Sequence, residues 1–436
     1  MEVAHAEMRL ELLCETVRFS AEKTLFYSNL KSVKIRSLSD LESIPLISKI
    51  DISKSGASML TCRPDVGSIN ISSGTTWGDY LDASTLGGEL KLKNLAEPAF
   101  VYRSPEEDDL CRQLTISNLS AGLTLRIDNG THGARHYKHA KEISFPLQKP
   151  FHYAAIKKII RDSPKIFGES ITGVCGPSNQ LKNLAAMQDL AKEKIFSPFG
   201  GPDYLIGYGS FVTSKWRKLL GETYLTELTD AYAISEILGS GSPQCNICKA
   251  YHVQPWVIPE IINPLTGLRA LSDSGELVLT CLLPFSRVQP IIRYRTGDIV
   301  RVRKCAIDFS FLPCGKTGDS VFSKDGQLVI GGYELLERLD SIEQINKWHT
   351  PNQKMLGIPS SYGPPKIQVM RELTSAKKSH NDQAKPGIRI ELSKNHKNDK
   401  SLRDLIKGII NSDGHSEEIF VDFGEIDEST VRMPKQ

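Results

Sequence analysis

Pro290-Ile291-Ile292-Arg293-Tyr294-Arg295-Thr296-Gly297-Asp298 is an apolar, β-type run that ends in a charged turn closing on a carboxylate. An acidic side chain after a tight turn can accept hydrogen bonds from two neighbouring hydroxyls, as on a ribose. Alone, the same residues also fit an ordinary charged β-turn. Just upstream lie WVIPEII (256–262) and GELVLTCLL (275–283), punctuated by NPLTG (263–267) and SDSG (272–275). Short β-rich runs separated by turn chemistry predict a β subdomain over 250–303, expected as a distorted barrel.

Working outward, residues 64–215 mix β-like runs with helical spacing. AAIKKII (154–160) and NLAAMQDLAKE (183–193) repeat apolar residues at helical intervals, and DYLIGYG (203–209) reads as a buried strand ending in glycine. Such alternation predicts an α/β fold. THGARHYKHA (131–140) reads as a loop or short helix. The first residues (1–19) carry Glu2, Glu7, Glu11 and Glu15 and read as an amphipathic helix, followed by irregular chain and a short helix to about residue 60. From about 320 onward, QLVI (327–330), IRIEL (388–392) and EIFVDFG (418–424) look like strands. SLRDLIKGII (401–410) looks like a helix with Ser401 as N-cap and Asp404 at N3. The expected organisation is a large N-terminal domain over 1–318, with α/β subdomains plus the β subdomain, and a small α+β domain over 319–436.

The chain has 436 residues, 40% hydrophobic and 24% charged, with a formal net charge of +3. That balance is ordinary for a soluble globular protein and demands neither nucleic acid nor an anionic membrane as partner. No run of about 20 apolar residues could span a bilayer, and the acidic start is unlike a secretory signal, so a cytoplasmic location is expected. Nine cysteines, an odd count, argue against a disulfide scaffold; most are expected to be small buried apolar residues.

Two further stretches can carry chemistry. Ser72-Ser73-Gly74-Thr75-Thr76 offers hydroxyl and backbone N–H donors with a glycine for close approach, which suits phosphate oxygens. It lacks the GK[ST] ending of a P-loop, and alone it also fits a plain surface loop. Tyr232-Ala233-Ile234-Ser235-Glu236 places a carboxylate, an oxygen ligand suited to Mg²⁺, after a strand-like segment, with a tyrosine able to stack on a base. Alone, Glu236 also fits an ordinary surface residue.

Taken together, in this order, these stretches resemble the adenylate-forming superfamily of acyl-CoA synthetases, luciferases and adenylation domains, and within it the phenylacetate–CoA ligase-like branch. The resemblance includes Phe26-Tyr27, the phrase Leu46-Ile47-Ser48-Lys49, Gly207-Tyr208-Gly209, and His252 followed by Glu260-Ile-Ile-Asn263-Pro264-Leu-Thr266-Gly267. It covers roughly residues 20 to 340; beyond that only the pattern of elements agrees.

The resemblance implies an ATP-dependent enzyme that makes an acyl-adenylate from a small carboxylic acid, of aryl or arylacetic type, and passes the acyl group to a thiol, coenzyme A first among the candidates. A carrier protein or an amine as acceptor, and a degenerate nucleotide-binding homologue without catalysis, are the alternatives. A homodimer is compatible with the branch. Ser72, Ser73, Gly74, Thr75 and Thr76 would hold the ATP phosphates, and Gly207 and Gly209 would line the adenine slot. Tyr232, with Ser235 beside it, would pack on adenine, Glu236 would bind Mg²⁺, and Asp298 would hold the ribose hydroxyls. Gly315-Lys316-Thr317-Gly318-Asp319 matches the motif before the hinge of a mobile C-terminal domain, with Asp319 as hinge and Gly331-Gly332 as the following glycine loop. Lys435 is the match for the catalytic lysine of adenylation. The chain departs from the pattern at Trp77, which replaces a glycine with no lysine after it, at Lys316, which replaces an arginine, and at its C-terminus, where a glycine is missing before Lys435.

Cys245-x-x-Cys248-x-x-x-His252, with Cys305 or Cys314 downstream, has the spacing of a structural Zn²⁺ site, and related proteins of the branch support it. Buried cysteines beside a surface histidine are the alternative reading. His132, His136 and His139 form a second cluster, with His136 and Tyr137 as candidate acid-pocket residues.

Overall fold

The computed structural model describes residues 2–63, 68–71, 99–107, 110, 122–128, 133–136, 140–306, 308–370, 387–412 and 419–426. Ser72, Ser73, Gly74, Thr75, Thr76, Trp77, His132, Tyr137, His139 and Lys435 lie outside the described residues. The chain is mixed α/β and divides into two compact, interleaved units: Met1–Asn118 with Tyr232–Gly318 and Lys324–Leu328, and Leu119–Ala231 with Asp319–Ser323 and Val329–Gln436.

The first unit is built on an antiparallel sheet. Its strands run in the order Val257–Ile262, Ser274–Cys281, Tyr294–Arg303, Ser310–Lys316, Tyr251–His252. The sheet is open rather than the distorted barrel expected: among the described residues its two outer strands do not pair with each other. The helix Glu2–Lys23 lays Leu13, Val17 and Ala21, spaced four apart, into the same core as Tyr27, Trp256, Leu277, Leu279 and Phe311. A two-stranded ladder pairs Ser68–Ile71 with Phe100–Arg103, Ser68 opposite Arg103.

Arg293 ties the early chain to this sheet. Its φ of +53° lies in the left-handed region, uncommon for a side chain of this size. Its guanidinium bonds both oxygens of Glu260, at 3.1 and 2.9 Å, and the carbonyls of Glu42 and Ile44. Burial pushes the Glu260 carboxyl up, and Arg293 opposes that shift. Arg293→Ala would leave a buried carboxylate without its partner, so urea unfolding of this unit is expected to show a loss of about 3–5 kcal/mol.

The second unit holds a six-stranded sheet in the order Gly133–His136, Ala140–Pro146, Gly122–Asp128, Ile171–Pro177, Tyr204–Tyr208, Leu228–Ala231. All pairings are parallel except that of Gly133–His136, which makes residues 133–136 a strand and not a loop or helix. The helices Pro150–Phe167, Ser178–Ala191 and Ser214–Tyr224 connect the strands in the manner of βαβ crossovers. Leu123, Leu125, Val174 and Leu205 form their core, into which Leu356 and Ile358 also insert.

The end of the chain adds a three-stranded sheet, Ile367–Met370, Gly387–Ile390 and Phe420–Phe423, with the helices Gly332–Leu339 and Lys400–Ile410. The last helix is capped by Asp399, not Ser401: the Asp399 carboxylate accepts from the Leu402 amide at 3.0 Å, which leaves Ser401 inside the first turn.

Candidate functional site

The site residues of the first unit lie on two segments. Leu228–Ala231 is the strand that leads into Tyr232–Glu236, and Tyr294–Arg303 carries Asp298. The turn at Asp298 is fixed by the neighbouring strand. Arg295 clasps both oxygens of Glu276, and the Gly297 amide donates to the same carboxylate at 3.3 Å. Thr296 bonds the Leu277 carbonyl and accepts from the Asp298 amide. The register shifts here, between Glu276 and Val278, and Gly297 takes φ +70°, a conformation glycine adopts without strain. The bulge re-aims the carboxylate that follows it.

The two segments are tied crosswise by tyrosines. The Tyr232 hydroxyl donates to Asp298 Oδ2 at 2.8 Å, and the Tyr294 hydroxyl donates to Glu236 Oε1, also at 2.8 Å. Burial raises the Tyr294 phenol well above its ordinary range, and the Glu236 charge beside it adds to the effect. Asp298 is 3% exposed, and its other oxygen meets Lys316 Nζ at 2.5 Å. Lys316, which stands where the resemblance has an arginine, thus reaches the Asp298 carboxylate as a point charge. The Tyr232 ring packs edge-on against Phe311, with centroids 5.0 Å apart.

Glu236 opens onto a narrow cleft lined also by Tyr102, Arg103, Glu107, Phe285 and Gln289. Arg103 donates through Nη2 to the carbonyl of Ser235. Nothing in the sequence marks the contacts of Tyr294 or Arg103. Tyr294 stands inside the quoted motif, but its hydroxyl partner is 58 residues away. Arg103 sits in a stretch without any recognisable pattern.

Gly207, Gly209 and Asp319 belong to the second unit and are therefore not gathered with Tyr232 by the contacts of the first. A Cβ on Gly207 would meet the side-chain ends Ser178 Oγ at 2.6 Å and Leu228 Cδ1 at 3.0 Å, so a larger residue there would have to displace them. Gly209 ends the strand at φ +81°. Gly332 packs on Asp319, whose carbonyl oxygen would lie 2.7 Å from an added Cβ. The side chain of His136 lies outside the described residues, although its strand is described.

A second constellation follows Glu236 along the chain. One ligand atom from each of Cys245, Cys248, His252 and Cys305 falls within 4.8 Å of the others. Cys305, not Cys314, is the downstream cysteine that the fold brings there; Cys314 bonds instead toward the Leu312 carbonyl. A tight knuckle forms the Cys245–Cys248 turn, with the Lys249 amide on the Cys245 carbonyl and Lys249 at φ +54°. The amides of Cys248 and Ile247 hold the Cys245 thiol down to about 6, whereas burial pushes Cys248 up. His252 turns Nδ1 to the Phe309 carbonyl at 3.1 Å and Nε2 to Cys248 at 3.4 Å. Of the eight cysteines among the described residues only Cys175 and Cys281 are buried, so the expectation of mostly buried cysteines fails, in part because this cluster is half-exposed. Three thiols and one imidazole with its second nitrogen anchored form a donor set that fits a tetrahedral divalent metal. The cluster is joined to the first site: Ser242 accepts from the Tyr232 amide through its carbonyl and from the His252 amide through its hydroxyl.

No protein-family model matches the sequence, and no curated protein matches it. Solved structures do. The chain is similar to a 2-hydroxyisobutyryl-CoA ligase in an open conformation in complex with 2-HIB-AMP and CoA, at 14% identity and a TM-score of 0.67, covering 98% of this chain and 90% of that one. It is similar to ATP-bound MatB from Rhodopseudomonas palustris (11% identity, TM-score 0.51, 85% and 66% covered). It is also similar to the anthranilate CoA ligase AuaEII in complex with anthranoyl-AMP (13%, 0.50, 85% and 66%). A likeness at this identity speaks for architecture, and by that architecture the chain has the fold of the adenylate-forming ligases.

Proposed function

We propose that this protein is an AMP-forming acid–thiol ligase: it activates a carboxylic acid with ATP and transfers the acyl group to a thiol, coenzyme A being the favoured acceptor. The observation that carries the reading is the crosswise tie of Glu236 and Asp298, which holds a metal-type carboxylate and a ribose-type carboxylate side by side in one unit. The ligases of similar fold that are bound to acyl-adenylates support it.

In the first half-reaction an oxygen of the substrate carboxylate bonds to the α-phosphorus. The bond from that phosphorus to the bridging oxygen of the β-phosphate breaks, and pyrophosphate leaves with the electron pair. In the second, a thiolate bonds to the acyl carbon and AMP departs with the carboxyl oxygen. Negative groups crowd together in both halves, so positioning and charge neutralisation are the tasks of the protein. Asp298 and Tyr232 orient the nucleoside, and Tyr294 holds Glu236 in place. Glu236, a half-buried oxygen donor on the cleft, would hold Mg²⁺, which supplies charge neutralisation on the phosphates when bound. Cys245, Cys248, His252 and Cys305 would hold a structural Zn²⁺ that pins the chain after Glu236 to the sheet.

Ser72–Thr76 as phosphate loop, Gly207 and Gly209 at the adenine, and an aryl or arylacetic acid as substrate belong to the same proposal. So does a division at residues 318/319 with Asp319 as hinge; close packing of Gly332 on Asp319 supports a sterically defined pivot. Among the described residues no helix is long and apolar enough to cross a membrane, in keeping with a substrate taken from solution. One observation favours the non-catalytic alternative: Lys316 and Tyr232 between them already engage both oxygens of Asp298.

ATP–pyrophosphate exchange with a panel of aryl, arylacetic and aliphatic acids separates the two readings. Acid-dependent exchange is expected; a folded, ATP-binding protein without exchange on any acid would favour the non-catalytic one. Lys435→Ala is expected to lower exchange about a hundredfold while thioester formation from added acyl-adenylate persists. Equal loss in both half-reactions, or in neither, would remove Lys435 from the role.

A further inference from the structure

Cys245, Cys248 and Cys305 are half-exposed, unlike the buried Cys175 and Cys281. The knuckle that carries the first two faces solvent: Ile247, between them, is 76% exposed. A metal-bound cysteine is a thiolate, and a thiolate that solvent can reach is the form an oxidant attacks. A second thiol close by turns that attack into a disulfide. Here the ligand atoms of the three cysteines and His252 lie within 4.8 Å of one another, and only Asn246 and Ile247 separate Cys245 from Cys248. The same knuckle is built into the nucleoside end of the first unit. The Cys245 amide donates to the Ala250 carbonyl at 2.8 Å, which leads the knuckle into the strand Tyr251–His252. Tyr251 lies opposite Phe311 in the ladder, and Phe311 is the ring against which Tyr232 packs. Ser242 bridges the His252 and Tyr232 amides. A Cβ at Gly241 would collide with the Tyr232 carbonyl, so the backbone leading to Cys245 lies directly on that of Tyr232.

We propose that Cys245 and Cys248 form a peroxide-sensitive switch that sets the nucleoside site. The inference rests on the adenylation and metal readings and deepens them by assigning their regulation. One thiolate sulfur bonds to an oxygen of hydrogen peroxide, the O–O bond breaks, and hydroxide leaves; the sulfur is then a sulfenic acid. The second thiolate bonds to that sulfur, the S–O bond breaks, and a second hydroxide leaves. The cysteine pair gives up two electrons, and the peroxide, with two protons from solvent, becomes two waters. His252 and Cys305 are then the donors left in the cluster, short of the four that a closed tetrahedral site needs. The knuckle is no longer pinned, so its hold on Tyr232 through Ser242 and Gly241 slackens, and the Tyr232 hydroxyl loses its place on Asp298. A dithiol returns both electrons by thiol–disulfide exchange and restores the pair.

The test exposes the zinc-loaded full chain to hydrogen peroxide and reads zinc released to a chromogenic chelator, thiols remaining, and AMP affinity by calorimetry. Release of about one zinc with loss of about two thiols per chain is expected, and peptide mass mapping should place the new bond between Cys245 and Cys248. AMP affinity should fall about five- to a hundredfold. Dithiothreitol followed by Zn²⁺ should restore all three readings, which separates a switch from oxidative damage. Cys62→Ser, which removes an exposed thiol outside the cluster, should respond as the wild type does; a response lost in that variant would overturn the proposal. So would zinc and thiols that peroxide leaves unchanged, zinc release with AMP affinity intact, or a loss that dithiothreitol and Zn²⁺ do not reverse. A wild-type chain that takes up no zinc would overturn the metal reading and the switch with it. One that takes up zinc but never binds AMP would overturn the adenylation reading together with the action of the switch on the nucleoside site.

Discussion

Glu236→Ala is expected to lower acid-dependent ATP–pyrophosphate exchange by at least about a hundredfold, because the carboxylate proposed to hold Mg²⁺ is gone. The geometry makes a sharper forecast. Glu236 is held by the Tyr294 hydroxyl at 2.8 Å, and Tyr294 is 3% exposed. Removing the carboxylate therefore strands a buried phenol, a loss of about 1–3 kcal/mol in stability beyond the catalytic effect. Glu236→Gln separates the two. The amide oxygen still accepts from Tyr294, so stability should return toward wild type, while the charge needed by the metal is still missing and exchange stays low. Exchange that survives both substitutions, measured at saturating Mg²⁺, would exclude Glu236 from the role.

Loss of one thiolate from the second cluster should act on stability instead of chemistry. Protein purified under metal-replete conditions is expected to contain about one zinc per chain, and Cys248→Ser to lose most of it. Structural zinc sites bind with roughly 10–16 kcal/mol of apparent free energy, and what binds only the folded state stabilises it. Cys248→Ser, or a strong chelator, should therefore lower the unfolding midpoint by many degrees, whereas Cys314→Ser should leave metal content unchanged. AMP binding should weaken too, since Ser242 couples the His252 strand to the Tyr232 amide. Metal-free protein whose midpoint ignores both the chelator and Cys248→Ser would remove the site.

Much of the architecture can be read from period and punctuation alone. The helices at 150–167 and 178–191 and the strand at 204–208 follow from apolar spacing: the helices supply Ile156, Ile160, Leu181 and Leu184 to the core beside the parallel sheet, and the strand buries alternate residues. The open sheet of the first unit is less legible: WVIPEII and GELVLTCLL announce strands, but closure into a barrel depends on pairings between distant segments. Caps are local contests, and Asp399 prevails over Ser401 because only its carboxylate reaches the Leu402 amide. At the site, motif residues with intrinsic chemistry, such as Glu236, Asp298 and the Cys245–Cys248 pair, are visible in sequence. Partners are not. That Cys305 and not Cys314 completes the cluster is decided by where the turn after Arg303 returns, and that Arg103 reaches Ser235 is decided by a ladder between strands about thirty residues apart.

The crosswise tie of Tyr232 to Asp298 and Tyr294 to Glu236 also bears on descent. Each tied pair is expected to change as one, because a lineage that discards Glu236 leaves the Tyr294 hydroxyl buried without an acceptor and gains by exchanging it for phenylalanine. Among diverged relatives, tyrosine and glutamate at these two positions should therefore be kept or lost together, so that a phenylalanine opposite a missing glutamate would mark a copy without the proposed adenylation site, even where its fold is intact.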